Sequence, residues 1–384
     1  MGGVLGCAQE YRAVIHWRGG ARPFTSPTVE ALTSVRWNRT INDQAEAVVT
    51  IAKATALECC GPLGEVEPYV HELSIYRDSD LVWQGPIVRA VESRTAWRIE
   101  ARDVTEWLAR IINTQVLRFV STDVTQPKHV GPVQEIADTI IRLNVNDPTW
   151  STPPDWCRIL PYIARDDAPT TTRFEKDGTT DTAIWLVPVL KVLDDELVPR
   201  GLEYTTVGRA LILGRPQTAT DRPQARLTLD DIAGDVELIK DGPSGAAIVW
   251  ATNQVQDDIS QAAWGVSGYT NTAYGRLDTL QLSQAENMSG YDLLQLAQAS
   301  IVGRFPVPIG LSIPAGSRLT ASAPVTIDQL VAGVRLDVEA TGMCSEVTVA
   351  YRLTDVDVEW SASGEQVAVS LVPLGDDPDP PEGA

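Results

Sequence analysis

Apolar and polar residues alternate along much of the first hundred residues. Trp97, Ile99 and Ala101 are separated by charged residues, and this period of two is typical of a strand with one buried face. Glycine and proline separate such stretches, as at Gly61-Pro62. The pattern predicts strands at residues 11–17, 32–38, 45–52, 72–76 and 81–91.

The same alternation returns in the C-terminal part of the chain. Val356, Val358 and Trp360 alternate with polar residues, and the stretches 334–339 and 367–371 repeat the pattern. Upstream, a hairpin turn at Gly208 is predicted to join two short strands. The predicted strands between these regions are 202–206, 210–213, 226–229 and 236–239.

Helical signals occur at four places. Asp103 and Glu106 have the spacing of a capping box ahead of an apolar face at 107–111. Apolar residues from Val133 to Ile141 follow the period of a helix. A further helix is predicted at 188–197, and cap spacing at Ser289 predicts one near 289–304.

These elements predict a mainly β fold with an α/β insertion. The proline- and threonine-rich residues 146–182 indicate a long loop with little regular structure. The acidic, proline-rich residues 375–384 have the composition of a disordered tail. We expect an N-terminal β-domain at 1–112, an α-containing insertion at 113–200, a β return to the first domain at 201–240 and a second β-domain at 241–374.

The charge of the chain narrows the classes of partner. Its 384 residues carry a formal net charge of −20, which repels phosphates and so disfavours free binding to nucleic acid or to anionic membrane surfaces. No run of about 18 apolar residues occurs, and the N-terminus lacks the features of a secretory signal. We therefore expect a protein without a membrane anchor that is made in a cytoplasm.

Residues that could bind a metal are few. No two histidines have the spacing of metal ligands, and the odd number of cysteines without C-x-x-C spacing indicates neither a disulfide framework nor a zinc site. We expect the histidines to serve packing and the thiols to be free and buried. The residues in question are His16, His71, His129, Cys7, Cys59, Cys60, Cys157 and Cys344.

Catalytic patterns are equally scarce. Acidic doublets occur at 166–167, 194–195, 230–231 and 257–258, but neighbours in sequence do not by themselves form an acid–base pair. The stretches 242–245 and 265–268 do not complete a G-x-S-x-G motif, and no phosphate-binding glycine motif occurs. We predict no catalytic, cofactor-binding or metal-binding residue, and a protein that is not an enzyme.

Two stretches resemble a known family. Residues 58–87 read ECCGPLGEVEPYVHELSIYRDSDLVWQGPI and are followed by RAVESRTAWRIEARDVTEWLARI. They are similar to the N-terminal domain of minor tail proteins of actinobacteriophages with long, non-contractile tails. Residues 323–374 resemble the C-terminal β-domain of the same proteins, where a Leu-Val-x-Gly turn enters the strands. The resemblance implies a baseplate hub with two tube-like β-barrel or β-sandwich domains per subunit.

What such a hub does follows from the resemblance. A hub subunit of a siphophage forms a homotrimer at the virion tail tip, continues the tail tube, encloses the DNA channel and anchors distal proteins. The implied partners are the distal tail protein, the tape measure protein and other minor tail and fibre proteins. The protein would be made in the host bacterial cytoplasm, and its acidic surface would let DNA pass without sequence-specific binding.

Three other interpretations stay open at this point. A distal tail ring would be a hexamer that needs one tube domain per subunit, so β-structure at both ends of the chain favours the hub. A carbohydrate-binding or cell-wall-degrading tail protein is disfavoured by the lack of a catalytic set. A hub of a non-viral secretion system is a further alternative that no residue pattern selects.

Overall fold

The computed structural model describes most of the chain, in separate ranges. Cys59, Cys60, Cys157, Cys344, His129 and the predicted tail at 375–384 lie outside the described residues. The described residues are 3–20, 22–27, 31–53, 61–114, 133–145, 162–165, 186–198, 202–214, 223–234, 236–240, 242–243, 245–252, 264–268, 275–282, 290–301, 304, 309–342 and 347–374.

Strands outnumber helices from one end of the chain to the other. The N-terminal elements are β1 Tyr11–Trp17, β2 Pro23–Thr25, β3 Leu32–Thr40, β4 Glu46–Ala52, β5 His71–Arg77, β6 Asp80–Glu92, β7 Ala96–Arg102 and α1 Thr105–Arg110. The middle elements are α2 Val133–Val145, β8 Tyr162–Arg165, α3 Val189–Val192, a π-helical turn Leu193–Leu197, β9 Tyr204–Val207 and β10 Ala210–Leu213. The C-terminal elements are β11 Ala225–Thr228, β12 Ile232–Ala233, β13 Glu237–Lys240, β14 Ile248–Thr252, β15 Trp264–Gly268, β16 Asp278–Leu282, α4 Gly290–Ile301, β17 Ile309–Ser312, β18 Ser317–Leu319, β19 Arg335–Glu339, β20 Thr348–Ser361 and β21 Gly364–Pro373.

One sheet of 13 strands contains strands from both ends of the chain. Its order is β12-β18-β21-β20-β3-β4-β7-β6-β5-β1-β2, and β19 with β11 continues beside the first part of β20. The two ends meet where β20 pairs antiparallel with β3, from Asp355 opposite Thr40 to Ser361 opposite Ser34. The prediction of a mainly β fold is confirmed, and the described strands form open sheets, without the closed barrel that was one of the two forms expected. The boundaries 1–112, 113–200, 201–240 and 241–374 stay a prediction.

The alternation of the sequence gives this sheet one buried face. Val35 and Trp37 of β3 are buried in the same core as Val49, Ile99 and Val358 from neighbouring strands. Burying each side chain of this size stabilises the fold by about 1.5–3 kcal/mol relative to leaving it exposed. A slip of one residue in any of these strands would expose its apolar set, so the hydrophobic pattern fixes the register.

A smaller unit docks at one end of the large sheet. This side module consists of α2, α3, the π-helical turn and the three strands β8-β10-β9, and has its own buried core. Its β9 strand lies against the end of β3, where the Asn42 amide donates to the Tyr204 carbonyl at 2.9 Å. The Thr205 hydroxyl donates to the Thr40 carbonyl at 2.8 Å. The helical period of the sequence locates α2 correctly, because its apolar stripe faces this core.

Two local features were not predicted from the sequence. The stretch 146–182, predicted as a long loop with little regular structure, contains the short strand β8, which pairs in parallel with β10, and its other residues lie outside the described ranges. A distant partner strand supplies these hydrogen bonds, which local composition does not reveal. The predicted capping box at Asp103 does not form: the Asp103 carboxylate accepts from the Thr105 amide at 3.0 Å, the Asp103 amide donates to the Ala45 carbonyl, and the Glu106 carboxylate binds other side chains.

A third unit packs a helix on strands. The strands β15-β14-β16 form a sheet, and α4 covers it with Leu293, Ala297 and Ile301 buried against Val249. The helix approaches closely at Gly265, where an added Cβ would lie 2.2 Å from the Leu294 nitrogen. The helix predicted near 289–304 is thus found at Gly290–Ile301. Among the described helices, none has the length and apolar character needed to cross a membrane.

We predict that Gly85→Ala destabilises the protein by about 3 kcal/mol, because β6 passes so close to β7 that an added methyl group has no room. The new Cβ would lie 1.9 Å from the Arg102 carbonyl oxygen. Denaturant unfolding followed by circular dichroism measures the change. Gly64→Ala is the control, since no atom lies within 4 Å of its added Cβ. A Gly85→Ala variant as stable as the control would contradict the close approach.

Candidate functional site

Charged side chains buried at five places connect segments that are far apart in the fold or in the sequence. They are the most distinctive chemical feature of the described residues. The geometry around each one decides whether it suits catalysis, ligand binding or the joining of segments.

Arg39 is the most deeply buried cation, at 1 % exposure. It follows Val35 and Trp37 on the inward side of β3, so the strand itself directs it into the core. Its Nη1 donates to the carbonyls of Ile327 and Leu330, both at 2.9 Å, and its Nη2 donates to the Val82 carbonyl at 2.9 Å. Burial lowers the pKa of Arg39 to about 10, so it stays charged at neutral pH. One side chain therefore connects β3, β6 and the turn before β19.

Glu365 of β21 connects the C-terminal hairpin to the N-terminal strands. Its carboxylate accepts from Arg77 Nε at 2.8 Å and Nη2 at 2.7 Å, from the Tyr11 hydroxyl at 2.6 Å and from the Ala8 amide at 2.9 Å. Burial alone would raise the pKa of Glu365, but these donors hold it below its ordinary value. Burial and the neighbouring carboxylate raise the pKa of Tyr11, which stays protonated.

Glu72 of β5 connects the large sheet to the side module. Its side chain is fully buried, and Oε1 accepts from the Gly19 amide at 2.9 Å. Oε2 accepts from Gln84 Nε2 at 3.2 Å and from Arg209 Nε at 3.2 Å, while Arg209 Nη2 reaches Oε1 at 3.3 Å. Arg209 lies in the β9–β10 turn, so this ion pair fixes the position of that turn.

Asp103, just before α1, makes the second carboxylate contact with the side module. Oδ2 accepts from the Ala45 amide at 3.0 Å and from the Thr206 hydroxyl at 2.7 Å, and Oδ1 accepts from the Thr105 amide and hydroxyl. Burial raises the pKa of Asp103, and these hydrogen bonds oppose the rise. Both carboxylate oxygens thus accept from backbone amides and hydroxyl groups of the protein itself.

Glu106, in α1, is the fifth of these buried charged residues. Its Oε1 accepts from the Tyr69 hydroxyl at 2.9 Å and from Arg110 Nε at 3.0 Å, and its Oε2 accepts from Gln44 at 3.2 Å and from Arg102 at 3.3 Å. Burial would raise the pKa of Glu106, and these four donors lower it below its ordinary value. Tyr69 has a φ of 61°, a conformation uncommon for a residue with a side chain.

The residues singled out from sequence do not come together into a reactive site. His16 and His71 are buried. Cys7 is free but exposed, so the prediction of a buried thiol is wrong at this position. Of the acidic doublets, Asp194 accepts from the Tyr204 hydroxyl at 2.7 Å and Asp231 accepts from the Thr228 amide at 2.8 Å. The doublets 166–167 and 257–258 lie outside the described residues. Within the described ranges, no group of three histidine, cysteine or acidic residues is placed to hold a metal ion.

These five buried charged side chains therefore join segments of the protein to one another. The four buried carboxylates accept hydrogen bonds from donors within the protein, and Arg39 donates to three backbone carbonyls while its Nε has no partner among the described residues. Buried charges with such contacts raise the penalty for partial opening, because a released partner leaves an uncompensated charge.

Sequence reasoning missed the buried contacts of Arg39, Glu365 and Glu72, although two of them carried a readable signal. Arg39 follows Val35 and Trp37 in the same inward phase, and Glu365 precedes Val367 and Val369 in the same way. A charged residue at an inward position of an alternating strand indicates a buried contact. Glu72 carried no such signal, because it lies on the face of β5 that the side module covers.

Comparisons with known proteins match this chain in its fold and not in its sequence. No family profile matches the sequence, and no curated protein matches it. Among solved structures, the 43 kDa tail protein of prophage MuSo2 from Shewanella oneidensis has a TM-score of 0.56 at 10 % identity, over 94 % of this chain and 98 % of that chain. The tail protein from Neisseria meningitidis MC58 has a TM-score of 0.52 at 13 % identity, over 96 % and 97 %. The prophage tail protein gp18 from Listeria monocytogenes EGD-e has a TM-score of 0.52 at 8 % identity, over 94 % of each chain.

These similarities extend over nearly the whole of each chain. The chain therefore has the fold of these tail proteins. At sequence identities of 8 to 13 %, the comparison establishes the fold alone.

We predict that Glu365→Gln destabilises the protein by about 3 kcal/mol at neutral pH, because it leaves the buried Arg77 charge without its partner. Since the pKa of Glu365 is depressed in the folded state, its stabilisation is present above about pH 4.3 and is lost as the pH falls through the folded pKa. The stability difference from the unmodified chain should therefore shrink in acid. Denaturant unfolding at several pH values measures it.

The matched control for this variant is Asp357→Asn. Asp357 pairs with Arg36 at 2.6 Å, but both side chains are exposed to solvent. Removing an exposed pair costs at most about 1 kcal/mol. Equal effects of the two substitutions would contradict the structural role of Glu365.

Proposed function

We propose that this chain is a structural protein of a bacteriophage tail. The fold is the observation that supports this most directly, since it matches a prophage tail protein over 94 % of this chain and 98 % of the other. Partial matches often reflect a shared small domain, whereas a match of full length to full length includes the arrangement of all the units. The proposed location is the virion.

At a finer level, we propose a baseplate hub subunit at the tip of a siphophage tail, present in three copies. The resemblance of residues 58–111 and 323–374 to actinobacteriophage minor tail proteins supports this assignment. The strands at both ends of the chain add support, because a hub subunit needs β-structure in both regions. Such a subunit continues the tail tube and encloses the channel through which DNA leaves.

The proposed partners follow from that position. They are two further copies of the chain, the distal tail protein, the tape measure protein and other minor tail and fibre proteins. The net charge of −20 suits a protein that lies beside DNA without binding it.

We also propose that the protein is not an enzyme. In support, the buried carboxylates of Glu72, Asp103, Glu106 and Glu365 each accept several hydrogen bonds from within the protein. A general acid or base must instead be within reach of a substrate proton. The role assigned to these groups is to hold the subunit rigid.

Immunogold labelling of intact particles tests the proposed location. Antibodies raised against the purified chain should place gold at the end of the tail that is distal to the capsid. Antibody preincubated with the purified chain is the control and should leave particles unlabelled. Gold along the whole tail, on the capsid, or absent from particles that contain the chain by mass spectrometry would contradict a tail-tip position.

A further inference from the structure

One histidine is buried on each of the paired strands β1 and β5, beside β2, and the register places the two rings on opposite faces of the sheet. We call His16, Trp17, Phe24, His71 and Glu72 the histidine corner. Across the β1–β5 pair, His16 lies opposite Glu72 and Trp17 lies opposite His71. His16 is 8 % exposed and His71 is 2 % exposed, so both rings are removed from solvent.

Neither ring has partners for both of its nitrogens. Both ring nitrogens of His16 are buried and have no hydrogen-bond partner among the described residues. In His71, Nδ1 lies 3.0 Å from the Glu67 amide nitrogen, from which a neutral ring accepts, and 3.3 Å from the Glu67 carbonyl oxygen. The Nε2 of His71 is also buried, and no described residue hydrogen-bonds to it.

The surroundings of the His71 ring are largely aromatic. The His71 ring lies 4.2 Å from the Phe24 ring and 4.8 Å from the Trp17 ring, measured between centroids. β2 contributes only Pro23, Phe24 and Thr25. The charged groups on the elements around the two rings are Glu72 on β5, Glu67 before β5, Arg18 and Arg22 in the β1–β2 turn and Arg209 in the β9–β10 turn.

The same corner holds the side module. Glu72 forms the ion pair with Arg209, and the Gly19 amide of the β1–β2 turn binds the same carboxylate. The turn packs tightly, because a Cβ added at Gly20 would lie 2.1 Å from Gln84 Nε2. Any opening of the corner therefore disturbs the group to which the β9–β10 turn is bound.

We propose that the histidine corner is an acid-sensitive contact: protonation of His16 and His71 opens it and releases the β9–β10 turn from Glu72. The imidazolium form needs an acceptor for each of its two N–H groups, and in the closed corner neither nitrogen of His16 nor Nε2 of His71 has one among the described residues. Opening exposes both rings to water. This inference concerns the subunit itself and is independent of the proposed tail function.

The direction of the pH effect follows from burial. Burial lowers the pKa of His16, with Glu72 opposing, and it lowers the pKa of His71, with Glu67 opposing. The open form, with pKa values near the ordinary value of about 6.5, thus binds more protons than the closed form. The closed corner is fully stable above that pH and loses stability as the pH falls below it.

Hydrogen–deuterium exchange of the full chain at about pH 7.5 and about pH 5.5 tests the proposal, with rates corrected for the intrinsic effect of pH. At the lower pH, each histidine ring that stays neutral in the closed corner shifts the closed–open equilibrium toward the open form by up to about tenfold. Protection should fall in peptides that cover 11–25, 67–77 and 204–213. Peptides from β20 and β21 report the response of the rest of the sheet and should change less.

A double variant, His16→Leu with His71→Asn, should abolish the pH response of these peptides. Leucine fills the His16 site without a titrating group, and the side-chain oxygen of an asparagine at position 71 can still accept from the Glu67 amide. His129→Gln is the matched control, since it removes the third histidine of the chain and should retain the wild-type response. A response that persists in the double variant would overturn the proposal.

Nuclear magnetic resonance of the histidine rings supplies a readout in the unmodified chain, in case the double variant does not fold. The chain has three histidines, so three ring signals are expected. Two of them should stay neutral below about pH 6.5 until the corner opens. Two rings that titrate at or above that pH, with amide protection unchanged, would refute the acid-sensitive contact.

Discussion

The pairing of β20 with β3 is the contact on which the rest of the structure depends. The Arg36–Asp357 pair on these strands spans 321 positions in sequence. Closing a loop of that length costs about 5 kcal/mol in chain entropy. The cost is offset because the two strands bury their inward side chains in one core, including Trp37 and Val358. Without this pairing, β3 and β20 would each present a free edge and an exposed apolar face.

Buried charges reinforce that pairing by a different mechanism. Arg39 and Glu365 contact groups on both sides of the junction: Arg39 reaches the carbonyls of Ile327 and Leu330, and Glu365 reaches Arg77 and Tyr11. Apolar replacements could make the core equally stable, but breaking either contact exposes an unpaired buried group. We infer that these contacts make small relative movements of the two ends costly. Resistance of this kind suits a subunit that bears load in an assembly, as proposed above.

The periodic stretches of the sequence predicted their elements well, because one buried face leaves a period of two in a strand. The strands that became β1, β3, β4, β6 and β21 and the helix α2 are of this kind. β8 was missed because its partner β10 is distant in sequence. The contacts of Glu72 were missed because its partner Arg209 comes from the side module. Arg39 and Glu365 were predictable in principle from their inward phase, whereas their partners were not, since these come from turns and strands hundreds of residues away.

Averaged cryo-electron microscopy of the tail end of assembled particles tests the central claim most directly. The account predicts three copies of this chain around the tail axis, each with β3 paired to β20 and both terminal regions in the wall of the channel. Six copies would instead identify a distal ring. Copies found only as peripheral appendages, or with β3 and β20 apart, would contradict both the proposed hub and the sheet on which it rests.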